Sequence, residues 1–231
     1  MRYSMSPGSG GSSFDGTAAL RAREGLGMGP ADVAYGMHAA YGLDIEPATV
    51  VAWEHGELTP DERQLTALAG ALWCSAGDLL GEPRTLREFR LARSLSAADV
   101  AMEAGMDAAV YARVEETGVW TGDARQAEAL AGVLRLPVPA FVELTGRGEE
   151  LAGLLRRAVT SRWQAYSGPV TRIVPLPRPY VEDGLRALQE AYASVTTASL
   201  GWGQASSAGA RDASRDFMAD ILDHFWDAME T

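Results

Sequence analysis

Along the first eighty residues the apolar positions recur at helical spacing and never alternate with polar ones, which predicts helices and disfavours a sheet. Glycines and prolines cut that pattern into short pieces. Ala18 to Glu24 stops at Gly25, and Asp32 to Tyr41 begins after Pro30 and stops at Gly42. Pro47 to His55 stops at Gly56, Asp61 to Trp73 follows Pro60, and Ala76 to Leu80 ends at Gly81. Beyond Thr145 the pieces lengthen. Glu149 to Tyr166 carries Leu151, Leu154, Leu155, Ala158 and Trp163 on one side. Ser167 to Pro179 contains Pro169, Pro175, Pro177 and Pro179 and reads as an extended connector. Val181 to Val195 is helical again, and Gly201 to Ala210 is rich in Gly, Ser and Ala, a composition that predicts mobility. A last helix, Ser214 to Met229, sets Phe217, Ile221, Leu222, Phe225 and Trp226 at spacings of three and four. The fold class is all-α.

The same plan occurs twice. Thr66-Ala67-Leu68-Ala69-Gly70-Ala71-Leu72 aligns with Glu128-Ala129-Leu130-Ala131-Gly132-Val133-Leu134 at an offset of 62. Asp32-Val33-Ala34 aligns with Asp99-Val100-Ala101 at 67, as Arg23 does with Arg90, whereas Glu54 aligns with Glu115 at 61. The fall from 67 to 61 places a six-residue insertion in the first copy between Ala34 and Glu54. Two copies of a five-helix unit account for all of these matches.

Composition narrows the function classes. The chain of 231 residues has 47% hydrophobic and 22% charged positions, as folded domains do. A single cysteine, Cys74, excludes a disulfide framework and a Cys-based zinc site, and three scattered histidines (His38, His55, His224) give no metal cluster, so no metal or cofactor is expected. No apolar run is long enough for a membrane span, and Met1 to Gly16 has no apolar signal core, so a cytoplasmic protein is expected. All twenty basic residues are arginine, and the net charge is −11. That field opposes generic polyanion binding. Nucleophile triads, phosphate-cradling glycine loops and paired carboxylates in a suggestive context are missing, so an enzyme is not expected.

Within the first copy stands Trp53-Glu54-His55-Gly56-Glu57-Leu58-Thr59-Pro60, with Asp32-Val33-Ala34 upstream and Leu68-Ala69 and Leu79-Leu80 downstream. On these motifs residues 17 to 145 resemble the XRE family of phage-repressor-like helix-turn-helix domains, in two tandem copies. The second copy keeps Glu115 and the helix spacing but has Val114 in place of the Trp and lacks the final Pro. The Ser/Gly-rich composition makes 1–15 a disordered leader, and the periodicity gives a C-terminal helical region at 147–231. The resemblance implies a first domain at 16–82 and a degenerate second at 83–146. It also implies a buried Arg–Glu pair tying the first helix to the third: Arg23 with Glu54, and Arg90 with Glu115. Their separations, 31 and 25, differ by the six inserted residues.

In such a fold the third helix enters the major groove and its first residues read base edges. By the resemblance those positions are Glu46, Pro47, Ala48, Val51 and Ala52, with Thr49 nearby, in the first copy. In the second they are Asp107, Ala108, Ala109, Ala112 and Arg113. The sequence departs here from polar DNA readers, since only Arg113 offers a bidentate guanine contact. His55 and Thr59 are candidates for the phosphate backbone. Residues 14 to 146 carry ten Arg against twenty acids, a net of −10, whereas Arg147 to Arg178 has six Arg against two Glu, a net of +4. Arg156, Arg157 and Arg162 in that segment, and Arg84, Arg87 and Arg93 further back, are possible phosphate contacts, weighed against ordinary solvated or internally paired faces. The terminal apolar stripe is a candidate homodimer interface, with packing inside the chain as the alternative. The expected function is sequence-selective binding of double-stranded DNA as a transcription regulator. The alternative is an acidic docking module for a basic protein partner.

Overall fold

A computed structural model describes residues 14–198 and 207–229. Most of the expected leader, and residues 201–206 of the Gly/Ser/Ala-rich stretch, lie outside them; the rest of that stretch, 207–210, is helical rather than the mobile segment its composition predicts. Among the described residues the regular structure is helical, apart from one isolated antiparallel bridge between Phe14 and Leu80. No described helix is long and apolar enough to cross a membrane. The chain divides into two compact units, Met1–Ser96 and Ala97–Thr231. The first helix of the second copy therefore falls in the first unit.

The first unit holds α1 (Gly16–Gly25), α2 (Pro30–Tyr41), α3 (Pro47–Glu54), α4 (Glu62–Ala71), a 3-10 turn at Ala76–Leu79, and α5 (Leu86–Ala92). Phe14 and Asp15, assigned to the leader by composition, belong to this unit. Phe14 packs on its core, and the Asp15 side chain caps α1 by accepting from Ala18 N at 3.0 Å. Trp53, Val33, Met37, Leu65, Leu68 and Leu79 close the core, and Leu91 of α5 joins it.

The second unit holds α6 (Ala97–Glu103), α7 (Ala108–Thr117), α8 (Ala124–Leu134) and α9 (Val138–Leu144), then α10 (Gly148–Thr160) and a 3-10 turn at Trp163–Tyr166. It continues through α11 (Ser167–Thr171), α12 (Arg178–Ala198), α13 (Ser207–Ala219) and α14 (Ile221–Met229). The proline-rich stretch is not the extended connector its composition predicts. Ser167–Thr171 is helical, and Val170, Ile173 and Val174 are buried. Pro169 sits in the first turn of α11, where no backbone donor is needed, and Pro179 does the same in α12. The terminal helix breaks at Asp220, between α13 and α14. Its stripe is buried within the unit: Phe217, Ile221 and Phe225 are covered, and α14 packs on α10 and α12.

Most of these helices are short, so their starts matter. Asp61, Asp107 and Asp123 accept from backbone amides at the heads of α4, α7 and α8, as Asp15 does for α1. Asp78 and Glu88 reach back to the backbone amides of Ser75 and Thr85 in capping boxes, and Asp32 accepts from the Gly29 amide, whose residue has no side chain to return the bond. Much of the acidity is thus a set of helix caps. The Ser75 hydroxyl and amide donate to Asp78 and hold its carboxyl below the usual carboxylate range.

The backbone turns recur at the spacing of the sequence repeat. Left-handed residues stand at Gly27, Gly42, Gly56 and Trp73, and again at Ser94, Gly105, Gly118 and Arg135. The helix that starts at Pro30 has its counterpart at Ala97, but runs 12 residues where α6 runs 7. Five of the six inserted residues lengthen α2, and the sixth lengthens the loop before α3.

Candidate nucleic-acid interface

Arg23 and Glu54 form the expected pair within the first unit. Arg23 Nε donates to Glu54 Oε1 at 2.6 Å and Nη2 to Oε2 at 2.8 Å, while Nη1 donates to Met28 O at 2.8 Å. The bidentate carboxylate pushes the Arg23 pKa above its ordinary value, outweighing the opposing effect of burial. Gly16, at the start of α1, approaches the Trp53 and Glu54 carbonyls so closely that a Cβ there would collide with them. These contacts fix the end of α3 against α1 and leave its start in solvent. Glu46, Pro47 and Ala48 are exposed, whereas Thr49, Val51 and Ala52 are half-buried. His38 Nδ1 lies 2.8 Å from Asp44 Oδ1 in the loop before α3, with both side chains open to solvent. His55 and Thr59 are exposed beyond the helix, with His55 Nδ1 3.9 Å from Glu57.

In the second unit α7 shows the same division. Tyr111 and Val114 are buried, Glu115 is half-buried, and Asp107, Ala108, Ala109, Ala112 and Arg113 are exposed. Val114 fills the core at the place Trp53 holds in the first copy. The Asp107 carboxylate accepts from Ala109 N at 2.8 Å and Val110 N at 3.3 Å. It therefore occupies amides that would otherwise attract an anion at the helix start.

Arg90 is only 2% exposed, and Nη1 and Nη2 each donate to Glu62 at 2.9 Å. Sequence spacing did not point to Glu62, because it heads α4 among exposed acids and has no motif of its own. Asp61 caps α4 and Glu62 engages Arg90, so neither is a free docking acid.

The arginine clusters separate into engaged and open members. Arg156 Nε donates to Met218 O at 3.0 Å, and Arg147 Nη1 to Arg172 O at 2.8 Å. Arg178 pairs with Glu182, and Arg186 pairs with Asp183 while lying 5.8 Å over the Trp163 ring. Arg157 and Arg162 are exposed, and their guanidinium groups have no ion pair or hydrogen bond among the described residues. Arg84 and Arg87 are exposed, but Arg93 is half-buried with its Nε in the interior. His224 stacks on Phe217 with ring centres 4.0 Å apart. Burial, with Asp78 adding to it, pushes the Cys74 thiol up, away from reactive thiolate character.

Comparison with protein-family models, characterised proteins and solved structures returns no match to this chain.

Proposed function

We propose that the chain is a sequence-selective DNA-binding transcription regulator of the helix-turn-helix type, resembling the XRE family. The observation that carries this reading is the buried Arg23–Glu54 fork, which anchors α3 to α1 while its first residues face solvent. Arg113, exposed on α7, supplies the bidentate donor suited to a guanine edge. Exposed alanines on the same helix suit thymine methyl groups. The caps described above also temper the acidity that opposes this reading, because those carboxylates are tied to the amides at helix starts.

The test is selection of fragmented genomic DNA on the full-length protein at roughly 50 and 200 mM salt. A shared motif whose retention falls steeply with salt is the expected result. Arg113→Ala should then cost about 1–3 kcal/mol of specific affinity, measured by titration with the selected duplex. Unchanged affinity would remove Arg113 from the interface. Asp107→Asn keeps an N-capping side chain but removes a charge from the head of α7, so affinity should rise by about twofold to fivefold.

One observation favours a second reading. Both third helices open on an acid, Glu46 or Asp107, which suits a basic protein partner better than a phosphate backbone. No DNA retention at either salt would select this docking role. Glu57 is then the acid to reverse, because Asp61 and Glu62 serve the fold.

A further inference from the structure

Trp73 stands out in the first unit. Its side chain is 86% exposed, and its backbone is left-handed, with φ 56°. That conformation is unfavourable for a residue with a Cβ and ordinary for glycine. A large aromatic held in solvent on a strained backbone gains no packing inside its own unit. Trp73 N donates to Gly70 O at 3.2 Å, and the Tyr41 ring lies directly over Gly70, where any Cβ would strike it. Tyr41 is itself 40% exposed and belongs to the part of α2 that the insertion adds. In the second copy the left-handed position holds Arg135, and nothing lies over Gly132. The two exposed aromatics that meet the chain at Gly70 are therefore a feature of the first copy.

The unit that carries them is acidic as a whole: residues 14–96 hold twelve acids against seven arginines, with Asp78 five residues after Trp73 and Asp44 three after Tyr41 along the chain, both exposed. An aromatic face in a negative field suits a guanidinium, which gains both from the ring quadrupole and from the charge. The chain carries such groups itself, because Arg157 and Arg162 stand open in the +4 segment of the second unit.

We propose that Trp73 and Tyr41 form a docking ledge for Arg157, in the last turn of α10, and Arg162, just beyond it, in a second copy of the chain. This assignment stands apart from the DNA-binding reading. It places self-association on a charged aromatic contact rather than on the terminal apolar stripe.

Sedimentation of the full-length protein over a concentration series, at low and high salt, tests it. The expected result is a dimer that weakens as salt rises. Trp73→Gly should weaken the dimer by about tenfold or more. The same variant should melt at or above the wild-type temperature, because glycine takes the left-handed turn without strain. The Arg157→Ala/Arg162→Ala variant should weaken the dimer similarly while folding normally. A chain that stays monomeric throughout, or a Trp73→Gly dimer as tight as wild type, would overturn the ledge. Association that strengthens with salt, or survives loss of both arginines, would overturn the arginine assignment.

Discussion

Replacing Arg23 with Ala should lower the stability of the first unit by about 3–5 kcal/mol, the usual cost of breaking a buried ion pair from one side. Glu54 keeps its carboxylate in the interior after the change, and its two short hydrogen bonds from Arg23 vanish together. Met28 O loses its donor as well. Alanine fills none of the space left behind, so the end of α3 loses its tie to α1. Backbone hydrogen exchange should show amides of α1 and α3 opening first, since these are the elements the pair joins. The control is Arg23→Met with Glu54→Leu. Removing both charges and keeping apolar volume should recover most of the loss, because desolvation of the pair then disappears along with its attraction. A loss below about 1 kcal/mol for Arg23→Ala would mean that the pair behaves as a surface bridge and anchors nothing.

Phe225→Ala should destabilise the second unit by about 3–5 kcal/mol, as truncation of a core aromatic does. Phe225 is fully buried, and α14 packs against both α10 and α12. The crossing with α12 is close because position 184 is glycine: a Cβ there would run into Met229 and come within 3.3 Å of the Phe225 ring. The variant separates two roles for the terminal stripe. If the stripe packs inside its own unit, the loss appears in urea unfolding and is independent of protein concentration. An interface role would instead give a dissociated but folded chain, with stability that depends on concentration.

The helices of the first unit were legible because each carries its own punctuation. Gly25 and Gly42 stand within a residue of the ends of α1 and α2, and Gly56 stands two residues past the end of α3. The Arg23–Glu54 pair was legible through the resemblance, which implies such a tie, and through separations that differ between the copies by the six inserted residues. The proline-rich stretch misled, since proline forbids only the helix interior and Pro169 and Pro179 sit in first turns. The break at Asp220 had no signal, as Phe217, Ile221 and Phe225 keep a helical period across it. Glu62 was hidden for a different reason. Its partner Arg90 is distant in sequence, and an exposed acid beside a capping Asp61 looks like any other helix head. Trp73 was equally unreadable, because an apolar residue at the end of a periodic run reads as core until the left-handed turn carries it outward. The site itself was readable only as positions, since alanine and proline at the head of a helix carry little chemistry of their own.

The caps bear on how this chain tolerates change. Helices α1, α4, α7 and α8 have their first turns tied locally by a capping acid, whereas α3 starts on Pro47 with no side-chain cap. The six residues that distinguish the copies were absorbed in α2 and its loop, while α3 and α4 keep the same starts relative to their counterparts, within one residue. A scaffold of this kind accepts length variation between fixed origins. One copy thereby carries a longer α2 surface than the other on the same helix plan.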